Sequence, residues 1–270
     1  MFARTSPPVC MALVGLSLGL LAGRASASVI TVTPVADSFI TIHPNLGGAT
    51  SNHGSDAFLA VIGPNDPHPV FTLSMVRFDL SAYAGHTVDG PVTFSMYVQG
   101  TNFNNPNVPD RNIVVRTIAG AWNEGTVTAN NASFVPGPVI ATQSIHYLTS
   151  ADDGYVSWTI PAVYVQSWID SPALNNGLCF QNITGGPLND LQFGSRESAH
   201  KPQLTFTTLC YANCDGSTVA PVLTANDFQC FLNAFASGQS YANCDGSTVA
   251  PVLTANDFQC FLNKFAVGCL

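Results

Sequence analysis

Residues 211–233 read YANCDGSTVAPVLTANDFQCFLN, and residues 241–263 repeat that string without a change. Each copy sets oxygen-bearing side chains at alternate positions: Asn213, Asp215 and Ser217 in the first, Asn243, Asp245 and Ser247 in the second. Thr224 and Asp227, or Thr254 and Asp257, then stand at the start of an apolar run. Alternating oxygens ahead of a helix are how a chain wraps a hard cation, so the pattern points to calcium. Gly216 and Gly246 supply the sharp turn such a loop needs. The histidines, by contrast, are scattered without the H-x-x-x-H type of spacing that zinc chemistry uses.

A second chemistry is open to the carboxylates. Glu124 and Glu197 are the only glutamates, and each lies in a distinctive loop string. Glycoside hydrolysis needs two carboxylates at a defined separation, which is a tertiary property. The bland reading is scaffold: Arg196, next to Glu197, places a guanidinium that can pair with Asp37 or Glu124. Arg77 near Asp79 reads as another paired charge, and Trp122 as a plug for one end of the domain. Sugar binding asks for an aromatic ring beside amides and hydroxyls. Tyr97 with Asn102, Phe103 and Asn104 offers that combination, unless Tyr97 belongs to the core of its strand.

The elements that must position these groups are mostly strands. Thr, Val, Asn, Gly and Pro are abundant, charged residues make up 9%, and helix-forming Leu-Lys-Glu periodicity is scarce. Short strands are expected within 28–35, 57–62, 70–80, 91–99, 112–119, 138–148, 154–160, 177–183, 190–195 and 203–209. A helix is expected over 161–170, opening on Pro161. After Asp227, Phe228, Phe231, Leu232 and Phe235 recur at i, i+3, i+4, i+7, and Phe258, Phe261, Leu262 and Phe265 follow in the second copy. Two such helices can bury their Phe faces against each other, which neither copy can do alone.

Residues 1–27 read as a secretory signal: Arg4, the apolar run 11–23, then Ala25-Ser26-Ala27. No later segment reaches the length of a membrane span. The expected organisation is signal 1–27, β-sandwich 28–208 and repeat module 209–270. Acidic residues number 16 against 8 Lys and Arg, two of which (Arg4 and Arg24) lie in the signal, so nucleic acid is a poor partner. Cys210, Cys214, Cys230, Cys244, Cys260 and Cys269 crowd the tail, a density that in an exported chain means disulfides whose connectivity spacing does not fix. Cys179 stands alone in an apolar run and reads as a buried core residue.

Six strings occur in order along the body: 36-ADSFI-40, 77-RFDLS-81, 121-AWNEGTVT-128, Trp168, 175-NNGL-178 and 194-GSRESAHKPQL-204. In that order the body resembles the DNRLRE family of secreted β-sandwiches grouped with carbohydrate-binding modules. The resemblance implies a mainly β, jelly-roll-like domain that binds polysaccharide without cleaving it, accessory to extracellular polysaccharide breakdown. The tandem unit resembles a type I dockerin repeat with an inserted loop. That implies a small paired loop–helix module whose calcium ligands are Asn213, Asp215, Ser217, Thr224 and Asp227 and their counterparts thirty residues on. It further implies a clasp between Cys210 and Cys269, with Cys214–Cys230 and Cys244–Cys260 closing each copy. The implied partner is a cohesin-like protein or a cell-envelope component. Two rivals stand beside this reading: a small polysaccharide hydrolase or lyase docked through its tail, and a structural envelope protein.

Overall fold

A computed structural model describes residues 27–64, 72–100, 109–186 and 190–269. Its strands are β1 (Ala27–Val32), β2 (Ala36–Thr41), β3 (Phe58–Val61), β4 (Thr72–Arg77), β5 (Thr87–Gln99), β6 (Arg111–Ala119), β7 (Val135–Ile145), β8 (Gly154–Ile160), β9 (Leu178–Asn182), β10 (Leu191–Gly194) and β11 (Gln203–Leu209). The helices are α1 (Ala162–Asp170), α2 (Ala225–Ala236) and α3 (Ala255–Val267). Each stretch expected to hold a strand does hold one, and β2 is added to them. Pro161 stands one place ahead of α1, as its N-cap, instead of inside the first turn. Of the proposed signal, residues 1–26 lie outside the described residues, and Ala27 is the first residue of β1.

The strands form two antiparallel sheets, so the body is a β-sandwich. The first runs β1-β11-β5-β10-β3, with β8 on the other edge of β5; the second runs β2-β4-β9-β6-β7. Alternation decides what fills the space between them. Along β5, Val92, Phe94, Met96 and Val98 are buried while Thr93, Ser95, Tyr97 and Gln99 are only half-buried. Phe94 packs against Trp158 of the same sheet at 5.6 Å and reaches across to Phe180 of the other at 6.1 Å. The indole Nε1 of Trp158 donates across the interface to the Ile113 carbonyl at 3.2 Å.

The two outer faces are treated differently. Ile40, Leu73, Met75, Ile118 and Cys179 point outward from the second sheet and are covered by Trp122, Val127 and Phe134 of the following loop, which makes a second small core. The loop is pinned by Asn52, whose Nδ2 donates to the carbonyls of Glu124 and Val127 at 2.7 and 2.8 Å. Gly54 lets this approach happen, because a Cβ there would sit 2.2 Å from the Glu124 carbonyl. Trp122 is thus a cover for a sheet face and not an end plug; its Nε1 donates to Asn176 O at 2.8 Å. Arg77 lies over the Trp122 ring at 5.3 Å, and Asp79 accepts instead from the Ser81 N–H at 2.9 Å, so the expected Arg77–Asp79 pair gives way to two other contacts. Cys179 is buried as expected, and burial pushes its thiol up to about 12.

The tail is a near-twofold pair. Phe231 and Phe261 stack at 4.2 Å, Tyr211 and Tyr241 stack at 4.8 Å, and each tyrosine hydroxyl donates to the other's carbonyl. Cys214–Cys230 and Cys244–Cys260 bridge within each copy, and Cys210–Cys269 joins the two ends. Lys264 stands where the first copy has Ala234; its Nζ donates to Gly85 O at 3.5 Å, placing α3 against the sandwich.

Candidate functional site

The outer face of the first sheet has no covering loop among the described residues, and period-two alternation coats it with neutral polar groups. β8 turns Trp158 and Ile160 inward and Tyr155, Ser157 and Thr159 outward. Register then builds rows: Tyr97 opposite Tyr155, Ser95 between Ser157 and Gln203, Thr93 between Thr159 and Thr205. Ser95 and Ser157 hydroxyls meet at 2.8 Å, and those of Thr31 and Thr205 at 2.9 Å.

At one end of this carpet three rings gather. Tyr97 stacks on the His200 imidazole at 3.9 Å with a 14° tilt, and Tyr155 meets Tyr97 edge-on at 5.4 Å. The Tyr155 hydroxyl donates to Lys201 O at 3.1 Å, and the ring remains 45% exposed. Tyr97 is half-buried between strand and imidazole. A ring face beside hydroxyls and amides suits a pyranose, whose C–H face stacks and whose hydroxyls bond outward. Asn102, Phe103 and Asn104, the other candidates for this role, lie outside the described residues. Tyr155 and His200 were not among the expected site residues. Alternation in 154–160 carries the signal for Tyr155; His200 sits in a turn and has no periodic signature.

The two glutamates converge on Arg196, the guanidinium expected to pair with Asp37 or Glu124. Arg196 Nε lies 2.6 Å from Glu124 Oε1 and 3.0 Å from Glu197 Oε1, and its Nη2 lies 2.9 Å from Glu124 Oε2. Glu124 Oε1 also accepts from the Asp37 N–H at 2.7 Å, and Asp37 Oδ2 accepts from the Arg196 N–H at 2.6 Å. Burial pushes the Asp37 carboxyl up to about 7, against the pull of that N–H, with Glu197 and Glu124 adding to the rise. The network ties the start of β2 to the loop after β6 and the turn after β10.

In the tail, Thr224 and Asp227 form a capping box on α2, and Thr254 and Asp257 do the same on α3. Asp227 Oδ1 also accepts from the Asp215 N–H at 3.1 Å, so the closing carboxylate reaches back into its loop. Asn213 Nδ2 donates to Ser217 O at 2.8 Å, which leaves Oδ1 buried without a hydrogen-bond partner; Asn243 repeats this with Ser247. Ser217 Oγ donates to Val222 O and Asp215 Oδ1 accepts from the Ser217 N–H. Burial works against the Asp257 carboxylate, but the Thr254 and Asp245 N–H groups outweigh it and hold its pKa below the ordinary value. Two orphaned, buried amide oxygens, one per copy at the first loop position, fit a hard cation.

A two-sheet body with one open face of rings and hydroxyls is the architecture of a carbohydrate-binding β-sandwich. Residues 28–208 match carbohydrate-binding module family 96, and the chain belongs to that family. No curated protein matches the sequence. Among the described residues no helix is long and apolar enough to cross a membrane.

Proposed function

We propose that the chain is a secreted, non-catalytic polysaccharide binder that grips its ligand on the open face of the first sheet and is docked outside the cell through a calcium-loaded, dockerin-like tail. The observation that carries the reading is the cluster of Tyr97, Tyr155 and His200 at the head of a hydroxyl-coated sheet. The rings lie ten residues along β5 from Thr87, where that strand pairs with Leu209 at the entry to the tail. At about 3.3 Å per residue, the rings stand roughly 33 Å from the point where the chain enters the tail. Calcium would supply the charge that closes each tail loop. Asn213, Asp215, Ser217 and Asp227 would hold one ion and Asn243, Asp245, Ser247 and Asp257 the other, with Thr224 and Thr254 at the helix starts. A cohesin-like protein or an envelope component is the partner class such a module serves.

Retention on insoluble glycans tests the face. Tyr155→Ala is expected to weaken binding by about 2 kcal/mol, roughly 30-fold in Kd, as truncation of an aromatic anchor does. Tyr97→Ala is expected to act similarly by releasing the His200 stack. Val135→Ala, on an exposed edge of the other sheet, serves as the control. Unchanged retention in both tyrosine variants would remove the site. New reducing ends released from the same glycans, and lost in Glu124→Gln, would replace the binder with a hydrolase.

A further inference from the structure

We infer that Asp37, Glu124 and Glu197 form a site for one divalent, oxygen-preferring cation of the calcium class, at the rim of the sandwich and separate from the tail loops. Carboxylate oxygens of the three residues lie within 4.8 Å of one another. A cation bound 2.3–2.6 Å from each ligand accommodates oxygens separated by up to roughly 5 Å, so the side chains need little movement to close on it.

Charge favours occupancy. Three carboxyl groups face a single guanidinium, that of Arg196, which engages Glu124 and Glu197, so acidic groups outnumber the cation and the balance is negative. The independent pointer is the state of Asp37. It is 1% exposed, its Oδ2 is satisfied by the Arg196 N–H, and its Oδ1 is buried with no hydrogen-bond partner. A buried carboxylate oxygen without a partner is costly, and a metal ion is one of the few ligands that removes the cost. Glu124 Oε1 is taken up by the Arg196 Nε–H and the Asp37 N–H, but lone pairs stay available on Glu124 Oε2 and Glu197 Oε1, each of which meets Arg196 alone.

The ion would join three segments distant in sequence: β2, the loop that covers the second sheet, and the turn carrying Arg196 and Glu197. That turn runs on to His200, whose carbonyl lies where a Cβ on Gly194 would come within 2.3 Å, so the turn is already fitted closely to β10. Fixing it would fix one ring of the sugar face. This last step rests on the proposed function; the cation site itself does not.

The test is a count of calcium ions per full-length chain by calorimetry and equilibrium dialysis, in wild type and in Glu197→Gln. Glu197 is partly exposed, which favours a folded variant; Asp37→Asn is the second. Each is expected to bind one ion fewer than wild type and to lose the calcium-induced rise in the sandwich's unfolding midpoint. A chain with Asp227→Ala and Asp257→Ala together is expected to keep one ion. Wild type then binds three ions if both this site and the tail loops are real, two if only the tail loops are, and one if only this site is. An unchanged count in Glu197→Gln and Asp37→Asn, or no ion in the tail double variant, overturns the site.

Discussion

Removing calcium from the reduced chain is expected to unfold the tail and leave the sandwich standing. The tail's core is two short Phe-faced helices joined at Phe231 and Phe261, with the paired tyrosines beside them. A module of this size has little reserve without staples or a metal. Each loop also draws Asp215 and Asp227, or Asp245 and Asp257, together through a shared N–H contact, and it buries the Asn213 or Asn243 oxygen with nothing to bond. Their repulsion and desolvation oppose folding until a cation neutralises them. The staples work the other way. Each within-copy disulfide spans 16 residues, worth about 3 kcal/mol in the chain-entropy view, and the clasp spans 59. The oxidised apo tail therefore stays compact, and the reduced chain shows the larger effect. Tail amide spectra are expected to collapse on chelation under reducing conditions, and Asp227→Ala and Asp257→Ala are each expected to remove one ion. Spectra indifferent to chelator, with no heat of binding lost in either variant, would make the repeats stapled knots without metal.

Legibility in the sequence followed burial. Strands with one wet face announce themselves: 154–160 alternates cleanly because Tyr155, Ser157 and Thr159 meet water while Trp158 and Ile160 meet the core. β2 does not, because all six of its residues are buried, one face by the sandwich core and the other by the loop carrying Trp122. A strand covered on both sides loses its period-two signature. The same covering explains Trp122 and Arg77, whose places depend on a loop folding back over a sheet. The meeting of Arg196 with Glu124 was readable, since two glutamates and an arginine in distinctive loops have few alternatives. Of the three rings in the cluster, only Tyr97 was expected at the site. Tyr97 stands out in its strand, but His200 reaches it through a turn whose path is a tertiary matter.

The other large effect lies in the core that presents the sugar face. Trp158 is 2% exposed, packs on Phe94 at 5.6 Å and Phe193 at 6.1 Å, and donates to the Ile113 carbonyl of the opposite sheet. Among the described residues its strand, β8, pairs with β5 alone, so inward packing of Trp158 and Ile160 does much to hold that edge in place. Trp158→Ala is expected to cost about 3–5 kcal/mol, the range for removing a fully buried aromatic ring, because neighbours anchored in two sheets can collapse only partly into the space. Trp158→Phe keeps most of the volume and forfeits mainly the hydrogen bond, so about 1–2 kcal/mol is expected. Function should follow stability here, since Tyr155 and Ser157 ride on the other face of the same strand. Weaker glycan retention is therefore expected in Trp158→Ala even at temperatures where the chain is still folded. Urea unfolding followed by amide circular dichroism, beside retention assays on the same samples, measures both quantities. A cost below about 1 kcal/mol for the Ala variant, or full retention despite a large cost, would show that β8 is held by its hydrogen bonds to β5 and not by the ring beneath it.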